Sequence, residues 1–178
     1  MDITSEEYSK CQEKIETERE EIKKYHKKEA KYKKLIKQEK LKIKILWRDE
    51  TSKLDMNFYN TIFNKDIFED IKQNFSVLIL DLDRVLNFHC GSDEEAKSIY
   101  PKDRLWNIEI ERIDFKIVKL IEYIESGELL SPPVIDISDD NIFLFYDGNH
   151  RVALSRFLGL KEIPFVVRKS NIERLKNL

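Results

Sequence analysis

Apolar residues early in the chain recur as Tyr8, Cys11, Ile15, Ile22, Tyr25, Tyr32, Ile36, Ile43 and Leu46. Steps of three and four, and their sums, make a heptad pattern, which predicts an amphipathic helix over residues 4 to 47. That stretch contains neither Pro nor Gly. Glu18, Glu29 and Glu39 interrupt the same seam, so the pattern specifies a helix more than a coiled coil. Phe58, Ile62, Ile67, Ile71 and Phe75 then recur at four or five residues. They predict one or two short amphipathic helices over residues 54 to 75, broken near Asn64-Lys65, that pack between the long helix and the C-terminal domain.

From Ser76 the pattern changes. Val77-Leu78-Ile79-Leu80 is a short β-rich run and predicts a strand, followed by a polar turn. Residues 89 to 103 read as a loop with a turn of helix near 94 to 99. Asp114 suits an N-cap for a helix that ends before Gly127, with Ile117, Leu120, Ile121 and Ile124 inward. Pro132-Pro133 forbids helix, and Val134-Ile135-Asp136-Ile137 predicts a strand. Residues 138 to 141 form a turn, 142 to 146 a strand, and 149 to 158 a helix closed by Gly159. Residues 163 to 167 predict a last strand, and a short helix comes after Ser170. The expected fold is an α/β domain of the α+β kind with a small mixed sheet, preceded by a long charged helix. Its divisions are 1–53 for the helix, 54–75 for a helical connector and 76–178 for the domain.

Composition adds two constraints. Of 178 residues, 37% are charged, well above the usual quarter, so part of the chain lacks a core of its own. Cys11 and Cys90 are the only cysteines and form no CxxC pair, which fits a reducing cytoplasm better than a disulfide framework. Residues 1 to 7 show neither a basic nor an apolar signal region, and no apolar run approaches the ~20 residues of a membrane span. A membrane partner is not expected.

The net charge of −2 hides an asymmetry. Residues 6 to 21 are mainly acidic, whereas residues 23 to 44 carry eleven lysines against Glu29 and Glu39. Acid first and base last suits the helix dipole. The same polarity lets two copies pair antiparallel as a homodimer, and lets a basic face meet nucleic-acid phosphates. The plain alternative is a solvated helix packed on its own domain.

The candidate chemistry lies at Asp147-Gly148-Asn149-His150-Arg151, where a strand runs through Asp-Gly straight into a helix. Gly148 permits a sharp turn and a close backbone approach. The first helical turn offers unpaired N–H groups and the positive end of the dipole, a ready anion site. Asn149, His150 and Arg151 add an amide, an imidazole and a guanidinium, and Arg151 suits bidentate phosphate binding. Equally, Asp147 serves as a simple N-cap and the basic residues face water.

The stretch from Leu129 to Val167 resembles the ParB/sulfiredoxin superfamily. The elements that carry the likeness are the Pro-Pro approach, the strand at 134 to 137, the Asp147-to-Arg151 turn, the helix ending in Gly159 and Ile163-Pro164. The helix at 114 to 126 and the strand at 77 to 82 with Arg84 also sit where the family places such elements, so the likeness covers roughly residues 76 to 169. It implies a fold that binds nucleoside triphosphate phosphates, ATP or CTP with Mg²⁺, through Gly148, Asn149, His150, Arg151 and, secondarily, Arg84. Members of the family repair sulfinic acid, switch a DNA clamp, phosphorylate serine or act as nucleases, and fold alone does not choose among these. Sulfiredoxins place a nucleophilic Cys where this chain has Asn149, which disfavours that chemistry. Partitioning proteins have a different turn and a further helix-turn-helix domain.

Catalysis of phosphate hydrolysis or transfer needs an acid or base. Glu128, Asp136, Asp139, Asp140 and Asp147 are candidates; Asp147 is preferred for its position beside the turn, with His150 as its companion. The alternatives are a metal-dependent nuclease that holds DNA or RNA on the lysine-rich helix, and a non-enzymatic scaffold that dimerises through that helix. Asp81-Leu82-Asp83 mimics the first motif of haloacid-dehalogenase-like phosphatases, but Arg84 replaces the usual Gly and no later motif supports it. His89-Cys90 lacks a second pair at zinc spacing, so no metal ligands are assigned.

Overall fold

The structure, a computed structural model, describes residues 5–38, 41–54, 73–103, 105, 111–138, 140 and 142–177. Helix α1 spans Ser5–Lys37. Strand β1 (Phe75–Asp81) leads directly into α2 (Leu82–Cys90) and then α3 (Asp93–Ile99). Helix α4 (Glu111–Glu125) precedes β2 (Val134–Ile137), β3 (Phe143–Asp147), α5 (Asn149–Phe157), β4 (Glu162–Arg168) and α6 (Ile172–Asn177). The strands form one sheet in the order β1-β4-β2-β3. β2 runs parallel to β4, and the β1–β4 and β2–β3 pairs are antiparallel. The fold is therefore α+β with a mixed sheet behind a long N-terminal helix, as the hydrophobic pattern predicts.

Three differences from that pattern have clear causes. The long helix stops at Lys37 instead of continuing to residue 47. Leu41, Ile43, Ile45 and Trp47 are half-buried while Lys42, Lys44 and Leu46 are exposed, which is the period-two burial of extended chain. The extended segment docks on the loop before β2: Arg48 N–H donates to Leu130 O and Leu130 N–H to Leu46 O, both at 2.8 Å. The polar turn expected after β1 is helix α2. Asp81 caps it, its carboxylate accepting the Arg84 N–H at 2.7 Å, and Leu82, Val85, Leu86 and Cys90 bury one helical face. Helix α4 begins at Glu111, so Asp114 lies within its first turn. The helices expected over 54 to 75 lie almost wholly outside the described residues, as do Asp139 and Asn141 of the expected turn.

Two apolar clusters meet at α5. In the first, Leu82, Val85 and Leu86 of α2 cover the sheet residues Ile135, Ile137, Phe143, Ile163, Phe165 and Val167. In the second, Tyr32 of α1 packs with Ile117, Ile121 and Ile124 of α4 and with Leu130. Val152 of α5 belongs to the first cluster and Leu154 to the second. A short helix bearing both fixes the position of its own N-terminus against sheet and helices alike. Each fully buried side chain of this size contributes roughly 1.5–3 kcal/mol. Tyr32 also donates its hydroxyl to Glu125 at 2.7 Å, and burial, then the Glu125 acceptor, raise its pKa. Among the described residues, no helix is long and apolar enough to cross a membrane.

Candidate functional site

The Asp147-to-Arg151 turn joins β3 to α5 at one end of the sheet. Gly148 is the residue that makes the turn. It adopts φ +105°, and a Cβ there would stand 2.6 Å from Pro133 Cβ and 2.7 Å from Pro133 Cα. Pro133 in turn accepts the Val166 N–H through its carbonyl at 2.8 Å, which begins the parallel pairing of β2 with β4. The turn and the Pro-Pro approach are thus one packed unit.

Arg151 locks that unit from beneath. Its side chain is buried. It donates to the Ser131 carbonyl, to the Pro132 carbonyl at 3.2 Å and to Asp147 Oδ2 at 2.7 Å. Asp147 uses its other oxygen to accept the Gly148 N–H at 2.7 Å. The predicted phosphate-gripping guanidinium is therefore turned inward, and the predicted catalytic carboxylate is held by two neighbours. Both act here as positioning groups for the turn.

What faces outward is different. Asn149 is exposed and His150 is partly exposed. Gly148 occupies the N-cap of α5 and no side chain caps this helix end; the nearby Asp147 carboxylate is engaged by the Gly148 N–H and by Arg151, which leaves the N–H groups of the first turn open to an anion. The His150 pKa is pushed down from 6.5 to about 4, first by burial and then by the positive charges of Lys116 and Arg151. Near neutral pH this imidazole is uncharged and sits in a positive field. Lys116, an exposed residue of α4, is a member of the site that sequence reasoning missed. No short-range signal links it to a turn some thirty residues away.

The depressed pKa has a stability consequence. Below pH 6.5 the unfolded chain takes up a proton at this imidazole that the folded chain refuses until about pH 4. Stability is therefore expected to fall as pH drops through this window, by roughly 1–2 kcal/mol once partial solvent screening is allowed for. Denaturant midpoints at about pH 7 and about pH 4.5 measure it, and His150→Gln should remove this component of the slope. An unchanged slope in that variant would contradict the assignment.

The remaining predicted residues are not gathered here. Arg84 lies in the first turn of α2, beside the C-terminal end of β1. The pairing sets Asp147 level with Val134, Val166 and Val77, four residues short of Asp81, and β1 and β3 are opposite edges of the sheet, so Arg84 is separated from the turn both along and across the strands. Asp136 is buried and accepts from Arg168 Nε at 2.8 Å and Asn171 Nδ2 at 2.7 Å, tying β2 to the end of β4. Glu128 and Asp140 are exposed. Asp81 caps α2, and Asp83 holds Lys102 at 2.7 Å and lies 3.5 Å from the buried Arg156. His89 donates through Nδ1 to the Phe143 carbonyl at 2.8 Å and sets its ring on Phe145. Burial raises the neighbouring Cys90 thiol. Among the described residues, no group of three His, Cys, Asp or Glu side chains is placed to hold a metal ion. In α1, Lys28 pairs with Glu122 of α4 at 2.8 Å and Lys23 with Glu20 at 2.9 Å, so part of the lysine-rich half is engaged within the chain.

Comparison with known proteins adds no identification: no family model, no curated protein and no solved structure matches this chain.

Proposed function

We propose that this chain binds a nucleoside triphosphate, ATP or CTP, with its phosphates at the N-terminus of α5, and that it belongs with the ParB/sulfiredoxin-like proteins its turn resembles. The observation that carries this reading is the helix end itself. Gly148 leaves it without a side-chain cap, and the half-buried His150 next to it feels the positive charge of Lys116 and Arg151. A helix N-terminus in a positive field is suited to an anion of high charge density. The groups that fit a phosphate are the backbone N–H groups of the first turn, the Asn149 amide, the His150 imidazole and the Lys116 ammonium. Bound Mg²⁺ would neutralise part of the triphosphate charge.

Arg151 and Asp147 serve this site indirectly, by fixing the turn. His150, neutral near pH 7, is the group able to accept a proton during phosphate hydrolysis or transfer. A bound phosphate would raise its pKa, so binding between about pH 4.5 and about pH 6 should take up a proton.

Asn149→Asp tests the reading with little structural disturbance. The replacement is nearly isosteric, the position is exposed, and a carboxylate at a helix N-terminus favours folding. Calorimetric titration with each nucleotide and Mg²⁺ should show saturable binding to the native chain. The variant should bind at least about tenfold more weakly while melting no lower. Equal affinity in both proteins would remove the phosphates from this helix end.

A further inference from the structure

Every described side chain from Glu6 to Lys24 is exposed, although this is the first half of one continuous helix. That part of α1 extends for about 28 Å without packing on its own domain. Most helical stability in proteins comes from packing an amphipathic face, and this half of α1 packs none of its own. It nevertheless carries an apolar stripe: Tyr8, Ile15 and Ile22 are 60%, 43% and 54% exposed. The same stripe continues into Tyr25 and Tyr32, which do pack against α4. Where α1 leaves α4 the stripe borders an open groove of about 500 Å³, lined by Glu21, Ile22, Tyr25 and Lys28 of α1 and Val118 of α4.

We infer that the free half of α1 pairs antiparallel with the same segment of a second copy. The heptad register decides the orientation. With Tyr8, Ile15 and Ile22 at position a, position d holds Cys11, Glu18 and Tyr25. A parallel pair would set Glu18 against Glu18 in the seam and Lys14 beside Arg19, like charge on like charge. An antiparallel pair sets a against d. Tyr8 then lies on Tyr25 of the second copy, Cys11 on Ile22, and Ile15 beside Glu18. The flanking positions bring Lys14 to Glu21, twice by symmetry. This arrangement also sends the Tyr8 end of each helix toward the groove of the other copy, where Ile22 is exposed and Tyr25 half-buried. The pairing is independent of nucleotide binding, since it uses neither α5 nor the turn before it.

Sedimentation equilibrium of the full chain tests the pairing, and a charge swap tests its register. A concentration-dependent dimer is expected. Lys14→Glu and Glu21→Lys should each weaken it by about tenfold, and the two together should restore it. Lys14 and Glu21 lie two turns apart on one helix, so only a contact between copies gives this rescue. Disulfide trapping tests orientation, since Cys11 is exposed and Cys90 buried. Under mild oxidant, Ile22→Cys should cross-link to Cys11 of the second copy, and the native chain should not. A monomer at every concentration, an unrescued double variant, native cross-linking through Cys11 or a failure of Ile22→Cys to cross-link would each overturn the proposal.

Discussion

Gly148→Ala is expected to lower the unfolding free energy by about 4 kcal/mol, from a strained backbone and an unavoidable clash together. The positive φ alone strains any L side chain. The new methyl would also stand 2.7 Å from Pro133 Cα, a backbone atom that cannot rotate aside. Moving Pro133 disturbs its carbonyl, which holds the Val166 N–H and so the β2–β4 pairing. Gly159→Ala supplies the control. It too has positive φ, but nothing lies within 4 Å of its Cβ position. It should cost only about 1 kcal/mol. Urea unfolding of both variants decides the matter; similar losses in the two would show that close packing at Gly148 has no special weight.

Arg151→Ala is expected to cost about 3 kcal/mol, because it withdraws one buried cationic donor from three acceptors at once. The Ser131 and Pro132 carbonyls lose the guanidinium as a donor, and the Asp147 carboxylate loses its ion pair with Arg151. Asp147→Asn removes the charge but keeps an acceptor for Gly148, so it should cost about 1 kcal/mol. In a double-mutant cycle the two losses should fall short of additive, as expected for residues in contact. An Arg151→Ala protein as stable as the native chain would contradict the buried role. For the same reason, loss of nucleotide binding in that variant would say little about contact with phosphate, whereas Asn149→Asp addresses it directly.

Much of the fold was legible in the sequence because the relevant signals are local. The strand at 134 to 137, the Gly148 turn and the helix ending at Gly159 are each set by residues within a few positions of one another. The errors arose where two periodicities overlap. Ile43 and Leu46 prolong the heptad steps, yet Leu41, Ile43, Ile45 and Trp47 alternate, and docking on Leu130 selects the extended form. Leu82, Val85, Leu86 and Cys90 have helical spacing, but Asp81 and Asp83 around Leu82 mimic a turn. Asp81 is in fact the cap that starts the helix.

The site was legible in part. Its position at the strand-to-helix junction is signalled by Asp147-Gly148 preceding an apolar-periodic segment. The inward direction of Arg151 is not. It depends on Ser131 and Pro132, about twenty residues earlier, presenting carbonyls that a Pro-Pro segment leaves exposed to a distant donor. The field of Lys116 on His150 is likewise set by how α4 packs against α5, which sequence spacing alone leaves open.

Phosphate binding at the start of α5 is tested most directly by amide chemical shifts of the ¹⁵N-labelled chain titrated with ATP or CTP and Mg²⁺. Saturable shifts are expected, concentrated at Gly148, Asn149, His150 and Arg151, with smaller changes at Lys116. Saturable shifts that bypass this turn, or none with either nucleotide, would contradict phosphate binding there.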